Sequence, residues 1–447
     1  MKSLTKFFLN NKEFSKYFKN TSWMLVEKVY KLGTILFINI LIARYLGPEQ
    51  FGYLAYVISL VALFAVTTHM GLSALVVKEL VSTPAKSGEV LATVFYIKLL
   101  GAVLGFSILI AINLLTEELF SLNFLVLLII SLSIFFKPFE VIDFWFIANV
   151  QAKYTAIVNT ISLMITSLFQ VVFVLISMSL VWFSLANFLQ SFLVAIIFIY
   201  FFYKKIKLSA SKLNFSLEKA KYLLSKSWMI MLGGLFAIIY LKIDQIMLKW
   251  MIGNESVGVY AIASSLSEVW YFLPTIIVTS LFPKIIEMKN SFSVNYHQRL
   301  QQLFDLLFVI AFVLAILVSI FANDVILFLY GQEYALAGQI LSIHIWAGVF
   351  IFMRALFSKW IIIEDMLMFS LITQGFGALT NIILNFILIP KYGAYGAAFA
   401  TLFSYAIASY VVLVFYTKTR EVFWMMSKAI ISPIRYPILL IKAKVNG

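Results

Sequence analysis

Long apolar runs, repeated at short intervals from residue 23 to residue 416, leave this chain few possible folds. Each run is about 20 residues long, the length of a helix that crosses the hydrocarbon core of a bilayer. Twelve spans are read, at 23–43, 52–76, 89–112, 122–147, 154–177, 181–203, 224–249, 257–282, 301–321, 335–357, 367–389 and 394–416. Of all residues, 63% are hydrophobic and 12% charged. A soluble globular chain carries about 25% charged residues, so this one could not cover a globular surface with polar groups. The expectation is an all-α polytopic membrane protein.

The breaks between spans carry an internal echo. Arg44-Tyr-Leu-Gly47-Pro48-Glu49-Gln50-Phe51-Gly52-Tyr53-Leu54-Ala55 is matched by Lys249-Trp-Met-Ile252-Gly253-Asn254-Glu255-Ser256-Val257-Gly258-Val259-Tyr260-Ala261. Both read as tight interhelical turns, because Gly47 and Gly253 can adopt positive φ and Pro48 fixes its own. A turn that recurs halfway along a membrane chain suggests a duplicated several-helix unit.

Basic residues set the topology. With the N-terminus inside, the inner segments hold nearly all loop lysines and arginines, and the outer ones hold only Arg44, Lys249 and Lys391. Both termini are therefore expected in the cytoplasm. This asymmetry also accounts for the net charge of +14, so no nucleic-acid partner is invoked. Residues 1–22 read as a basic amphipathic segment on an anionic membrane face. Residues 23–203 form one six-helix lobe and 224–416 a second, joined by the basic cytoplasmic linker 204–223. Residues 417–447 read as a basic interfacial tail. Even span numbers per lobe relate the repeats by an axis along the membrane normal. The chain has no cysteine, which excludes disulfides and thiolate metal sites. Its histidines, His69, His297 and His344, show no metal-ligand spacing, and no metal or other cofactor is expected.

Charges inside the spans carry the functional signal, since each costs roughly 2.5–3.5 kcal/mol at the bilayer centre. The basic ones are Lys28, Lys31, Lys98, Lys137, Lys242 and Arg354. The acidic ones are Glu27, Glu140, Asp143, Asp244 and Glu268. Glu27 and Lys31 are spaced to pair along one helix face. Lys137, Glu140 and Asp143 follow i,i+3 steps, so Lys137 can neutralise Glu140. Asp244 has no partner on its own helix, because Lys242 points elsewhere. Gln374, Asn381 and Asn385 form a stripe that serves either substrate contact or helix–helix adhesion. Lys28 and Lys31 either line a lumen or snorkel to the interface. Glu140 is either a functional group or only an ion-pair partner. A lumen with uncompensated cations suits an anionic headgroup such as a diphosphate. A buried carboxylate suits proton or cation coupling. Lys28, Lys31, Lys98, Lys137, Lys242, Arg354, Asn381 and Asn385 are thus candidate substrate contacts. Asp244, Glu140, Asp143 and Glu268 are candidate coupling groups to a proton or sodium gradient.

Several segments resemble the polysaccharide transporter (Wzx-type) family. They include Arg44 to Tyr53, Pro138-Phe-Glu-Val-Ile-Asp143-Phe-Trp-Phe, Gln151-Ala-Lys153-Tyr154, Tyr240-Leu-Lys-Ile-Asp244-Gln-Ile-Met, Val257-Gly-Val-Tyr260, Ser267-Glu268-Val-Trp270 and Asn381-Ile-Ile-Leu-Asn385-Phe-Ile-Leu-Ile-Pro390-Lys-Tyr-Gly393-Ala-Tyr-Gly396-Ala-Ala. The likeness covers nearly the whole chain, and the order and spacing of the segments carry it. It implies the MATE-like fold, two six-helix bundles around a central cavity that works by alternating access. It implies a flippase for an undecaprenyl-diphosphate-linked oligosaccharide, an O-antigen or other surface-polysaccharide unit of the lipopolysaccharide kind, in the bacterial inner membrane. Dependence on an ion gradient is implied as well. The partners expected are the lipid-linked oligosaccharide, membrane lipids, a polysaccharide polymerase and a chain-length regulator. Two other readings compete. A MATE-type cation antiporter would favour an acidic cavity, against the intramembrane lysines. A membrane glycan polymerase would need long outer loops bearing catalytic groups, and the outer connections are short.

Overall fold

The computed structural model describes residues 12–206, 213–290, 295–433 and 435. Residues 1–11 of the basic N-terminal segment, 207–212 of the linker and nearly all of the tail beyond 433 lie outside the described residues. Every regular element among the described residues is helical.

Helix α1 (Lys12–Phe64) is interrupted at Gly47, whose φ of 69° and ψ of 171° belong to no helix. This backbone is reached at little cost only by glycine. Pro48 opens the following helical stretch, where its missing N–H is an orphan donor anyway. Gly253 repeats the device with φ 131° and ψ 178°, between α8 (Leu217–Met251) and α9 (Asn254–Glu268). Both turns read from the sequence echo are therefore present. Gly331, with φ 89° and ψ −179°, makes a further turn of this kind, in the connection read between the spans 301–321 and 335–357.

Among the described residues, ten helices are long and apolar enough to cross a membrane. A bent pair, Gln332–His344 with Ala347–Ile363 at 44°, adds an eleventh if taken as one span. The first, Ser22–Ser82, has 61 residues and would measure roughly 90 Å if straight, three times the hydrocarbon thickness. The Gly47 break resolves that excess.

The remaining α-helices of eight residues or more are α2 (Ser73–Ser82), α3 (Ser87–Thr116), α4 (Leu122–Leu132), α5 (Val141–Ala148), α6 (Ala152–Leu175) and α7 (Leu180–Phe201) before α8, with a single turn at Val66–His69 ahead of α2. After α9 come α10 (Phe272–Asn290), α11 (Tyr296–Tyr330), α12 (Ala335–His344), α13 (Ala347–Ile363), α14 (Leu367–Tyr392), α15 (Ala394–Ser409) and α16 (Arg420–Ile430).

The chain divides between Leu235 and Phe236 into two compact units. The division falls inside α8, beside the Gly233–Gly234 pair and downstream of the basic linker. The opening turns of α8 belong to the first unit. There Lys219 pairs with Glu79 at 2.5 Å, Ser216 N–H donates to Thr93 Oγ1, and Ala220 and Leu223 enter the first core. That core joins Leu72, Val76, Val94, Phe146, Val158 and Phe198. The second unit packs Phe304, Leu307, Ala315, Met353, Phe357 and Met426. Within the tail, α16 buries Val422, Met425, Met426 and Ala429 and leaves Trp424 exposed. Such a two-sided helix suits a membrane interface.

Candidate functional site

Within each unit, some of the charges in the apolar spans are gathered into a polar cluster. In the first, Glu140 stands between two lysines. Lys98 Nζ lies 3.1 Å from Glu140 Oε2 and Lys137 Nζ 3.1 Å from Glu140 Oε1. His69 Nδ1 approaches the same carboxylate at 3.8 Å. The Lys98 side chain is only 1% exposed, and its ammonium sits over the Phe144 ring at 5.2 Å.

Local sequence explains the Lys137–Glu140 arm. Ser133–Glu140 is a 3-10 stretch containing Pro138. Proline supplies no N–H, and 3-10 winding stacks residues i and i+3 directly above one another. Lys98 arrives from α3, and the same helix seats His69. A Cβ on Gly101 would stand 2.0 Å from the Thr67 carbonyl oxygen. Only glycine lets the 66–69 turn approach α3 this closely. Thr67 Oγ1 then donates to the Gly101 carbonyl at 2.7 Å.

The polar band continues through Asp143, which accepts a hydrogen bond from Thr155 of α6. One turn further along α6, Asn159 Nδ2 donates to Glu27 at 3.3 Å. The expected Glu27–Lys31 pair gives way to this contact across α1 and α6. Lys28 and Lys31 are exposed on α1.

The second cluster surrounds Asp244, which is 2% exposed. Tyr260 OH of α9 and Thr401 Oγ1 of α15 each donate to Oδ2 at 2.5 Å. Asn385 Nδ2 of α14 donates to Oδ1 at 2.5 Å and lies 3.2 Å from Asn381 Oδ1. Asn381 in turn donates to Ser404. Asp244 is therefore not the lone carboxylate its own helix suggested, since three other helices satisfy it with neutral donors. Asn385 Oδ1 is buried without a hydrogen-bond partner among the described residues. Gln374 stands apart from this cluster and bonds locally to Ser370.

Lys242 and Glu268 lie within electrostatic reach of each other, and Glu268 of Asp244. Arg354 of α13 donates from Nη1 to the Ala408 carbonyl at 3.2 Å. Sequence reading missed His69, Thr155, Asn159, Tyr260 and Thr401. Among these only His69 and Asn159 stand out as polar interruptions of an apolar run. Hydroxyls of threonine and tyrosine scarcely disturb hydropathy.

The fold is shared with known transporters. A multidrug-resistance MATE family transporter of the MOP superfamily, in an inward-facing conformation, matches with TM-score 0.70 at 15% identity, over 89% of this chain and 96% of that one. The lipid II flippase MurJ, in an inward closed conformation, matches with TM-score 0.70 at 18% identity, over 94% and 93%. The chain thus has the MATE/MurJ-like fold that its sequence resemblance implied. The model of the family "Polysaccharide biosynthesis protein" matches residues 17–289, and the chain belongs to that family. A curated relative, the probable flippase AglR of Haloferax volcanii, is 28% identical over 183 residues. The match spans 40% of this chain and 38% of that relative's length.

Proposed function

We propose that this protein is a flippase, moving an undecaprenyl-diphosphate-linked oligosaccharide across a bacterial inner membrane by alternating access. The observation that carries the reading is the Lys98–Glu140–Lys137 cluster. Two lysines share one carboxylate, and one of them is almost fully buried. Keeping a lysine buried at that depth is expensive, and a diphosphate would meet both ammonium groups through charge-assisted hydrogen bonds. The family membership and the MurJ-like fold support the same reading. The surplus of lysine weighs against a cation antiporter. In this reading the chain crosses twelve times, with Gly47 a turn between two spans and the bent pair a single one, and both termini lie in the cytoplasm. Gly233–Gly234, beside the division of α8, is a natural place for bending between states.

The Asp244 cluster is the coupling site in this reading. One carboxylate with the oxygens of Asn381, Asn385, Thr401 and Tyr260 suits a hard monovalent cation or a proton. The function is tested in proteoliposomes carrying a defined undecaprenyl-diphosphate glycan. A membrane-impermeant sugar label reports the leaflet. The expected result is protein-dependent exchange of label accessibility, faster under a proton or sodium gradient. Equal accessibility kinetics with and without protein would overturn the proposal.

A further inference from the structure

The first unit holds a second concavity, on another side of the stretch that bears Lys137. It is an apolar cavity of about 320 Å³, walled by Phe95 and Tyr96 of α3, by Phe139 and Ile142, and by Phe202 and Leu213. Winding separates it from the charges. Lys137, Glu140 and Asp143 follow one i,i+3 row into the polar band, whereas Phe139 and Ile142 follow the neighbouring row into the cavity. The polar side chains on its wall, among the described residues, are those of Tyr96 and Tyr203. An ordered water needs about two to four polar partners, whereas a hydrocarbon chain needs none.

Two features of the backbone shape this cavity. The end of α7 passes into a π turn, Phe202–Ile206, a rare winding that recurs at functional sites. Beyond the linker the chain returns at Leu213. The Phe215 ring meets Tyr96 edge-on, with centroids 5.9 Å apart and planes at 88°. Ser216 N–H donates to Thr93 Oγ1 at 3.1 Å. Residues 213–216 are thus strapped across α3 and close one side of the cavity.

Positive charge gathers where the cavity meets the linker. Lys204 and Lys205 directly follow Tyr203, and Lys207 and Lys212 follow in the linker sequence. Lys204 and Lys205 are exposed, and neither forms an ion pair among the described residues. Their ammonium groups rest on aromatic rings instead, Lys204 over Tyr200 at 5.0 Å and Lys205 over Tyr154 at 5.4 Å. Lys219 is already held by Glu79. A slot for hydrocarbon beside unpaired surface lysines matches the two halves of an anionic lipid.

We propose that this cavity binds an acyl chain of an anionic phospholipid, from the leaflet that the basic linker faces, with the lipid phosphate on Lys204 and Lys205. The chain packs beneath residues 213–216 and secures the end of the linker to α3. The site does not rest on the flippase reading.

The test places the full-length protein in phosphatidylcholine vesicles that contain a photoactivatable lipid with a diazirine on one acyl chain. The probe is either phosphatidylglycerol or phosphatidylcholine at the same mole fraction. Illumination and peptide mapping then locate the chain. In wild type, phosphatidylglycerol labels residues 91–96, 139–142 or 199–203 about tenfold more than phosphatidylcholine does, because each lysine near an anionic lipid surface is worth roughly fivefold in binding. Unlabelled phosphatidylglycerol competes the label away, and undecaprenyl phosphate does not. Lys204→Gln/Lys205→Gln brings the two probes level. Two variants fill the slot, Leu213→Trp from the strap and Ala92→Leu from the α3 wall, and each removes most of the label. An unshifted thermal midpoint verifies the fold of each variant, and the strap position lies outside any helix. Equal labelling of wild type by both probes would overturn the proposal, as would label unchanged in both filled variants. Competition by undecaprenyl phosphate and not by phosphatidylglycerol would assign the cavity to a prenyl chain and overturn it too.

Discussion

Replacing Glu140 by glutamine should destabilise the protein by about 3 kcal/mol and abolish transport. The first effect follows from Lys98, 1% exposed, which would be left buried beside Lys137 without its carboxylate. Removing one partner of a buried ion pair costs on that scale, whereas removing both charges is often nearly neutral. The double variant Glu140→Gln/Lys98→Met should therefore recover most of the lost stability, with a coupling energy of about 1–3 kcal/mol. It should not recover transport, because the cation that meets the diphosphate is gone. Thermal unfolding in detergent gives the stability cycle, and proteoliposome exchange gives the activity. A double variant that is both stable and fully active would make the pair a packing device.

The second large effect falls on Asp244. Asp244→Ala would strand the donors of Tyr260, Thr401 and Asn385 in a fully buried pocket, and several kcal/mol of stability would go with them. Asp244→Asn preserves the shape. Hydroxyls of Tyr260 and Thr401 can turn to accept, and a flipped Asn385 amide would present its unsatisfied Oδ1. The asparagine variant should fold, and it should exchange substrate down its gradient at a rate that no ion gradient alters. Gradient stimulation equal to wild type would remove Asp244 from the coupling step.

These clusters show what a sequence of this kind makes legible. The two turns were readable because a glycine break between apolar runs is a local feature, and Gly47 and Gly253 lie where the echo put them. The Lys137–Glu140 contact was readable for the same reason, being three residues apart on one stretch. Lys98 joins them only because Gly101 and Gly105 set how α3 packs, and no periodicity reports that. Asp244 meets Asn385 and Thr401 across 141 and 157 residues of chain. A one-helix view therefore made it solitary. The Glu27–Lys31 spacing was sound as helix geometry, yet Asn159 of a neighbouring helix supplied a competing donor. The division at Leu235 lies within a continuous helix, marked in the sequence only by the Gly233–Gly234 pair. The basic linker was the more visible feature, but packing of Lys219, Ala220 and Leu223 ties the start of α8 to the first unit.

The account stands on the lysine cluster of the first unit facing water and substrate rather than lipid. The chain has no cysteine, so a single Lys137→Cys thiol is directly readable in native membranes. A membrane-impermeant, water-soluble methanethiosulfonate should modify it, and the lipid-linked glycan should slow that modification. Leu115→Cys, at a side chain 86% exposed on the apolar outside of α3, should gain no protection from the glycan. A thiol at 137 that the reagent never reaches, or that substrate leaves equally reactive, would contradict the account.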